Sequence, residues 1–203
     1  MTRLIAHRGL KKDAKENSLE AFRKALESNE YAGFECDVRT SKDGVFVIVH
    51  NPLVGPDIIR LTPFKELQEK YQLPSLEQVL QLKSDKIFLL EVKESDIDVL
   101  KFQELIHRYP TKNIYVMSFS NKVISRFING KQHEKLGVLN YVLNSEEDYQ
   151  EYDFICLLES VVSSKLLFFF ESLHMETFIY GIHHFAKTKE EYKTAYLITD
   201  EVI

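Results

Sequence analysis

Short apolar runs recur along the chain, with amphipathic stretches between them. In "FECDVRTSKDGVFVIVH" the alternation is strict: Phe34, Cys36 and Val38 are apolar, while Glu35, Asp37 and Arg39 are polar. A period of two places each set on its own face of a strand. "KDG" then reads as a turn, and the apolar run "VFVIV" ends on His50. The same reading predicts strands over 3–7, 33–38, 45–50, 86–92, 113–119, 135–140, 153–158, 177–182 and 195–199. Helical spacing falls on "SLEAFRKALES", with Leu19, Phe22, Ala25 and Leu26 on one face and Asn17 or Ser18 as its cap. "SLEQVLQL", "VLKFQELIHRY" and "NKVISRFI" are three further helices. The stretch 150–175 carries the weakest pattern.

Strands alternating with helices imply βαβ units and a largely parallel sheet. A closed TIM (β/α)8 barrel, compact and with short loops, fits better than an open doubly wound sheet. His7, Asp37, His50, Glu91 and Ser118 all fall at the C-terminal ends of predicted strands, where barrel enzymes assemble their sites. The first strand is followed by no glycine-rich phosphate loop of the dinucleotide-binding kind. The link 38–44 is too short for a crossover helix. It is expected to run back down extended, with Asp43-Gly44 as the tight turn.

These polar strand ends carry the candidate chemistry. Glu35 and Asp37 share a face, and Glu91 ends "IFLLE", with Lys93 two residues on. Three carboxylates gathered in one barrel mouth repel one another and lose hydration. A divalent cation resolves the conflict, and an all-oxygen set suits Mg²⁺ or Ca²⁺ rather than zinc. His7 and His50 are the natural general acid and base. Arg8 and Lys93 are cations able to hold a phosphate. Each feature has a duller reading: a structural histidine, a solvated sheet face, a surface lysine. Their conjunction at one end of several apolar strands tells against all three.

Composition adds bounds. With 203 residues the chain reads as one barrel domain over 1–203, and 44% hydrophobic residues suffice for a core. Cys36 and Cys156 are too few for a disulfide framework or zinc cluster and read as buried small hydrophobes. A net charge of −5 argues against nucleic acid as a partner. The N-terminal segment holds no apolar stretch long enough for a signal peptide, and the greasiest run, "KLLFFFESL", is too short to span a bilayer. A cytoplasmic protein without stable membrane insertion is expected; its oligomeric state is left open.

At these same residues the chain resembles the glycerophosphodiester phosphodiesterase family. "IAHRG" with "ENSLEAFRKAL", then "GFECDVRTSKDGVFVIVH", then "LLEVK" match its motifs. "YVMSF" and "YLITDE" are weaker matches. The resemblance implies a TIM barrel that hydrolyses small glycerophosphodiesters to glycerol phosphate and an alcohol with a divalent metal. It implies His7 and His50 as catalytic pair, Glu35, Asp37 and Glu91 as metal ligands, Arg8 and Lys93 as phosphate contacts, and Glu16 and Asn17 as supporting residues. The implied reaction runs through a cyclic phosphate that water then opens. Two departures stand out. Asn51 follows His50 where the family has aspartate, and His183 and His184 stand where small or polar residues are usual and read as loop residues. Two other readings compete. One is a lysophospholipid phosphodiesterase, which needs an apolar patch at the mouth that Phe168, Phe169 and Phe170 would supply. The other is a catalytically weakened phosphodiester-binding module.

Overall fold

A computed structural model describes residues 3–110, 112–143, 149–183 and 185–200, with the side chains of 186, 187 and 189 left aside. Eight parallel strands close into a barrel: β1 (Leu4–Ala6), β2 (Tyr31–Thr40), β6 (Ile87–Val92), β7 (Asn113–Ser118), β8 (Lys135–Asn140), β9 (Phe154–Leu158), β10 (Glu176–Tyr180) and β11 (Tyr196–Thr199). Closure comes from β1, which pairs with both β2 and β11. All nine sequence-predicted strands are present. The ninth, β3 (Phe46–Ile48), pairs with β2 antiparallel and is not a stave of the barrel.

Strand parity divides the core in two. Leu4, Phe34, Cys36, Phe88, Leu90 and Val116 face outward to the helices. Ile5, Leu89, Tyr115, Met117, Phe154, Cys156 and Phe178 fill the barrel interior. Gly137 on β8 makes room there: a Cβ would lie 2.5 Å from the Phe154 ring. Both cysteines are free and buried, as small hydrophobes should be.

The outer ring is formed by α1 (Leu19–Glu27), α3 (Leu76–Leu80), α4 (Val99–His107), α5 (Asn121–Ile128), α6 (Ser164–Ser172) and α7 (Phe185–Glu191). Helix α1 is capped by Ser18, whose hydroxyl accepts from Ala21 N. Its Phe22 stacks on Phe34 of β2 at 4.3 Å between centroids. Burying that ring contributes roughly 2–3 kcal/mol and fixes the helix beside the site-bearing strand. Helix α3 carries a full capping box between Ser75 and Gln78.

Between β3 and α3 the chain makes an excursion through a small hairpin, β4 (Leu53–Val54) and β5 (Asp57–Ile58), and α2 (Phe64–Tyr71). It has its own core of Val47, Val49, Ile59, Leu67 and Leu73. Glu94, just beyond β6, ties it to the barrel by accepting from Thr40 N at 3.0 Å and Arg60 Nη1 at 3.1 Å. Among the described residues no helix is long and apolar enough to cross a membrane.

Candidate active site

The first βα loop is bent to serve the acids on β2. Parity turns Ile5 and then His7 toward the barrel axis. The chain reverses at once, with φ of 56° at Arg8 and 85° at Gly9. Glycine is required at position 9 twice over, because a Cβ would also meet the Ala21 side chain at 2.7 Å. Arg8 and Asn17 both hold positive φ, each at a cost of about 1–3 kcal/mol. What they gain is contact. Arg8 N donates to Glu35 Oε2 at 3.0 Å, Asn17 N donates to Arg8 O at 2.9 Å, and Asn17 Nδ2 donates to Asp37 Oδ2 at 2.8 Å. Asn17 therefore braces a carboxylate, and the helix cap is left to Ser18. Glu16 receives the Arg8 guanidinium at 3.1 Å, while Arg8 Nε lies 3.3 Å from Asp37.

The three acids converge. Glu35 and Asp37 follow each other on the inner face of β2, and register sets Asp37 beside Glu91 of β6. They are 2%, 1% and 7% exposed, too little for water to carry their charge. One carboxylate oxygen from each lies within 4.8 Å of the others. Lys93 neutralises part of the cluster, with its Nζ 2.7 Å from Glu91 Oε1 and 3.2 Å from Asp37 Oδ1. Burial, Asp37 and Glu91 together push the Glu35 carboxyl well above its ordinary range. Burial likewise raises Glu91, against the pull of Lys93. At Asp37 burial is outweighed by Lys93, Asn17 and Arg8, and the carboxyl is lowered. Glu35 Oε1 is buried with no hydrogen-bond partner. An orphaned oxygen in an all-oxygen set is what a hard dication would satisfy, so these residues fit one.

The histidines stand at the rim. His7 Nδ1 lies 2.8 Å from Asp200 Oδ1, so it carries the proton of that contact, and its Nε2 points toward Glu35 Oε2 at 3.9 Å. Lys11 also pairs with Asp200. The hydrogen bond from His7 holds the Asp200 carboxyl far below its ordinary range. His50 Nδ1 lies 2.9 Å from Asn51 Oδ1, which leaves Nε2 as the ring's free nitrogen. The expected course of 38–44 is corrected here. Strand β2 does not return toward the barrel floor after Asp37 but continues outward to Thr40. The chain turns at Asp43-Gly44, and β3 descends antiparallel, with Val49 N donating to Asp37 O at 2.9 Å. His50 is thus lowered into the mouth from outside, and Arg39 Nε holds its carbonyl at 2.9 Å.

His7, Arg8, Glu35, His50, Glu91 and Lys93 line one cavity of about 580 Å³ at the C-terminal end of the barrel. Asp37 lies just beneath, against Lys93. Ser118 does not join them. It shares the outward parity of Ile114 and Val116, and its hydroxyl donates to Val92 O at 2.8 Å. The opposite wall is aromatic: Phe119 and Tyr141 stack at 4.5 Å, and Tyr180 meets both rings edge-on. The run Phe168–Phe170 lies on α6 away from the cavity; Phe170 is buried, while Phe168 and Phe169 are exposed. His183 reaches the rim, whereas His184 and Glu201 of "YLITDE" lie outside the described residues. Asp200 was assigned no role from sequence. The signal was available: in a closed barrel the last strand lies beside the first, and Ala6 pairs with Thr199, which sets residue 200 next to residue 7.

The fold and this polar mouth define a TIM-barrel protein with its site in the usual place. Comparison narrows it further. Residues 7–135 match the model of the "Glycerophosphoryl diester phosphodiesterase family". The chain belongs to that family. Among curated proteins it is similar to a glycerophosphodiester phosphodiesterase of Caldanaerobacter subterraneus, 28% identical in an alignment 162 positions long that covers 68% of this chain and 66% of that protein. A glycerophosphodiester phosphodiesterase from Thermotoga maritima superposes with a TM-score of 0.82 at 25% identity, covering 99% of this chain and 95% of its own. An Oleispira antarctica phosphodiesterase, solved with the product sn-glycerol-3-phosphate, superposes with a TM-score of 0.82 at 18% identity, covering 98% and 92%.

Proposed function

We propose that the chain is a metal-dependent, cytoplasmic phosphodiesterase that hydrolyses small glycerophosphodiesters to glycerol phosphate and an alcohol. One observation carries this reading. Three buried carboxylates from two strands converge beside a cavity that is also lined by two imidazoles and two cations. Family membership and the product-bound relative support the substrate class.

Glu35, Asp37 and Glu91 would hold Mg²⁺ or Ca²⁺, which when bound supplies Lewis-acid neutralisation of phosphoryl oxygens. Arg8 and Lys93 add fixed positive charge beside the phosphate. Glu16 and Asn17 act as braces, on Arg8 and Asp37 respectively. The histidines differ in what stands behind them: Asp200 sets a negative charge against His7, and Asn51 only a dipole against His50. His50 Nε2 is therefore assigned to take the proton of a substrate hydroxyl, whose oxygen attacks phosphorus. The bond from phosphorus to the departing alcohol breaks as His7 Nε2 delivers a proton to that oxygen. Water then opens the cyclic phosphate with the roles exchanged, and both rings return to their starting states.

The test is a panel of glycerophosphodiesters incubated with purified protein and Mg²⁺ or Ca²⁺. Release of glycerol phosphate is expected. Binding without turnover would replace this reading with the binding-module one, and preferential cleavage of lysophospholipids would replace it with the lysophospholipid phosphodiesterase one.

A further inference from the structure

A second group of potential ligands lies at the other end of the barrel. His107 closes α4, and His133 and Glu134 immediately precede the first residue of β8. One donor atom from each lies within 4.8 Å of the others. Glu134 is only 1% exposed, and its two oxygens accept from His107 Nε2 at 3.3 and 3.1 Å. The His133 ring sits 5.6 Å from that of His107 between centroids. Its Nε2 is buried and has no hydrogen-bond partner. An imidazole nitrogen shut away from water beside a carboxylate and a second imidazole is a group whose hydrogen-bonding capacity the fold leaves unused.

We propose that His107, His133 and Glu134 form a binding site for a borderline transition cation, Zn²⁺ in the first instance, distinct from the oxygen site at the mouth. The donor set argues for this class of ion. Imidazole nitrogen favours zinc and its neighbours over Mg²⁺ or Ca²⁺. Two histidines and a carboxylate, with a fourth position left to solvent, are a recurrent zinc arrangement. Bonds of about 2 Å bring tetrahedral donors to roughly 3.3 Å of one another, so donors now within 4.8 Å would draw together on binding the ion. The ion takes the place of the proton between His107 and Glu134. The surroundings are already built to orient the carboxylate. Gln103 Nε2 donates to Glu134 Oε1 at 3.2 Å and is itself fixed on Phe127 O at 2.8 Å, while Gln132 N donates to Oε2 at 3.1 Å. The consequence is mechanical: the ion staples the end of α4 to the loop feeding β8.

The experiment is calorimetric titration of the full chain with Zn²⁺, paired with thermal melts. It uses three proteins: the unaltered chain, His133→Ala, and Glu91→Gln to disable the mouth. His133 is partly exposed and makes no hydrogen bond through Nε2, so its truncation leaves Glu134 paired with His107 and the fold intact. One equivalent of Zn²⁺ should bind to the unaltered chain and to Glu91→Gln. The midpoint should rise by about 5 °C or more at free Zn²⁺ a hundredfold above Kd. Both effects should vanish in His133→Ala, and Mg²⁺ should reproduce neither. Absence of stoichiometric Zn²⁺ binding in the unaltered chain, or undiminished binding in His133→Ala, would overturn the proposal. Loss of binding in Glu91→Gln alone would overturn it equally, since the zinc would then belong to the mouth.

Discussion

The two ends of the barrel interior are built from the same strands on opposite principles. At the N-terminal end Tyr115, Phe154 and Phe178 pack edge-on at 5.1–5.5 Å, and Tyr196 stacks on Phe178 at 4.7 Å. The polar groups there are matched: Lys135 Nζ donates to Tyr115 Oη at 2.8 Å and Glu176 Oε2 at 2.6 Å, and Tyr115 Oη donates to the same carboxylate at 2.8 Å. At the C-terminal end three acids crowd two cations, Glu35 keeps an orphaned oxygen, and Arg8 and Asn17 sit in strained backbone. The interior floor is satisfied and holds the barrel together. The other is left unsatisfied and is available for a ligand. Stability and chemistry are separated by about the length of a strand.

That contrast breaks most sharply at Glu91. Glu91→Gln should lower diester hydrolysis by about 10³-fold or more, because it removes one of the three proposed ligands for the dication. Yet the fold disfavours the ionised form of this residue, through burial and Asp37. Its neutral isostere should therefore raise the thermal midpoint in metal-free buffer. A lower midpoint would mean that Lys93 already balances the cluster. His7→Ala, next in size, should reduce kcat by about 10²–10⁴ with the fold retained, the melt falling only by what the lost contact to Asp200 contributes. Retained activity would remove His7 from the reaction.

The floor answers in the opposite currency. Phe154→Ala leaves a hole between Tyr115, Phe178 and Gly137 and should destabilise the fold by about 3–5 kcal/mol. That is a drop of roughly 6–15 °C for a chain of this length. Specific activity measured well below the new midpoint should stay within about twofold of the unaltered chain. A parallel loss of activity would show that the floor also shapes the mouth.

These positions were not equally legible in the sequence. The carboxylates were readable because two acids interrupting a greasy strand at a period of two must share a face, and desolvation makes that arrangement costly without a ligand. Ser118 does end its strand, but a strand end alone does not put a side chain in the mouth: from the inward Tyr115 and Met117, residue 118 has to face the helices. The direction of β3 was ambiguous, since a seven-residue link permits either a descent or an outward hairpin. What decided it is the pairing of Val38 with Ile48, a tertiary fact. The aromatic wall could not be read at all, because Phe119, Tyr141 and Tyr180 come from three separate strand ends and meet only when the barrel closes. Asp200 has the same origin. Asp200→Asn should cost roughly tenfold in kcat by replacing the charge-assisted hydrogen bond to His7 with a neutral one. Asn51→Asp should move activity the other way or leave it unchanged, as the rim then carries two counter-charges.

The smallest effect isolates the floor by pH. Burial first, and then the hydrogen bond to Glu176, hold the Tyr115 phenol well above its ordinary value. In the unfolded chain the same phenol ionises near pH 10. Above that pH the unfolded state has released a proton that the folded state keeps, so the unfolded state binds fewer protons and stability falls as pH rises. Below pH 10 both states hold the proton and the term vanishes. The slope approaches about 1.4 kcal/mol per pH unit at full ionisation of the unfolded state. Tyr115→Phe removes this term while leaving the ring packing of the floor. Denaturant melts of both proteins between pH 8 and about 11.5 should therefore run parallel at first and diverge above pH 10, with the unaltered chain losing stability faster. Curves that stay parallel throughout would mean that the floor admits hydroxide or water to Tyr115, and that the two ends of the barrel are less different than their packing indicates.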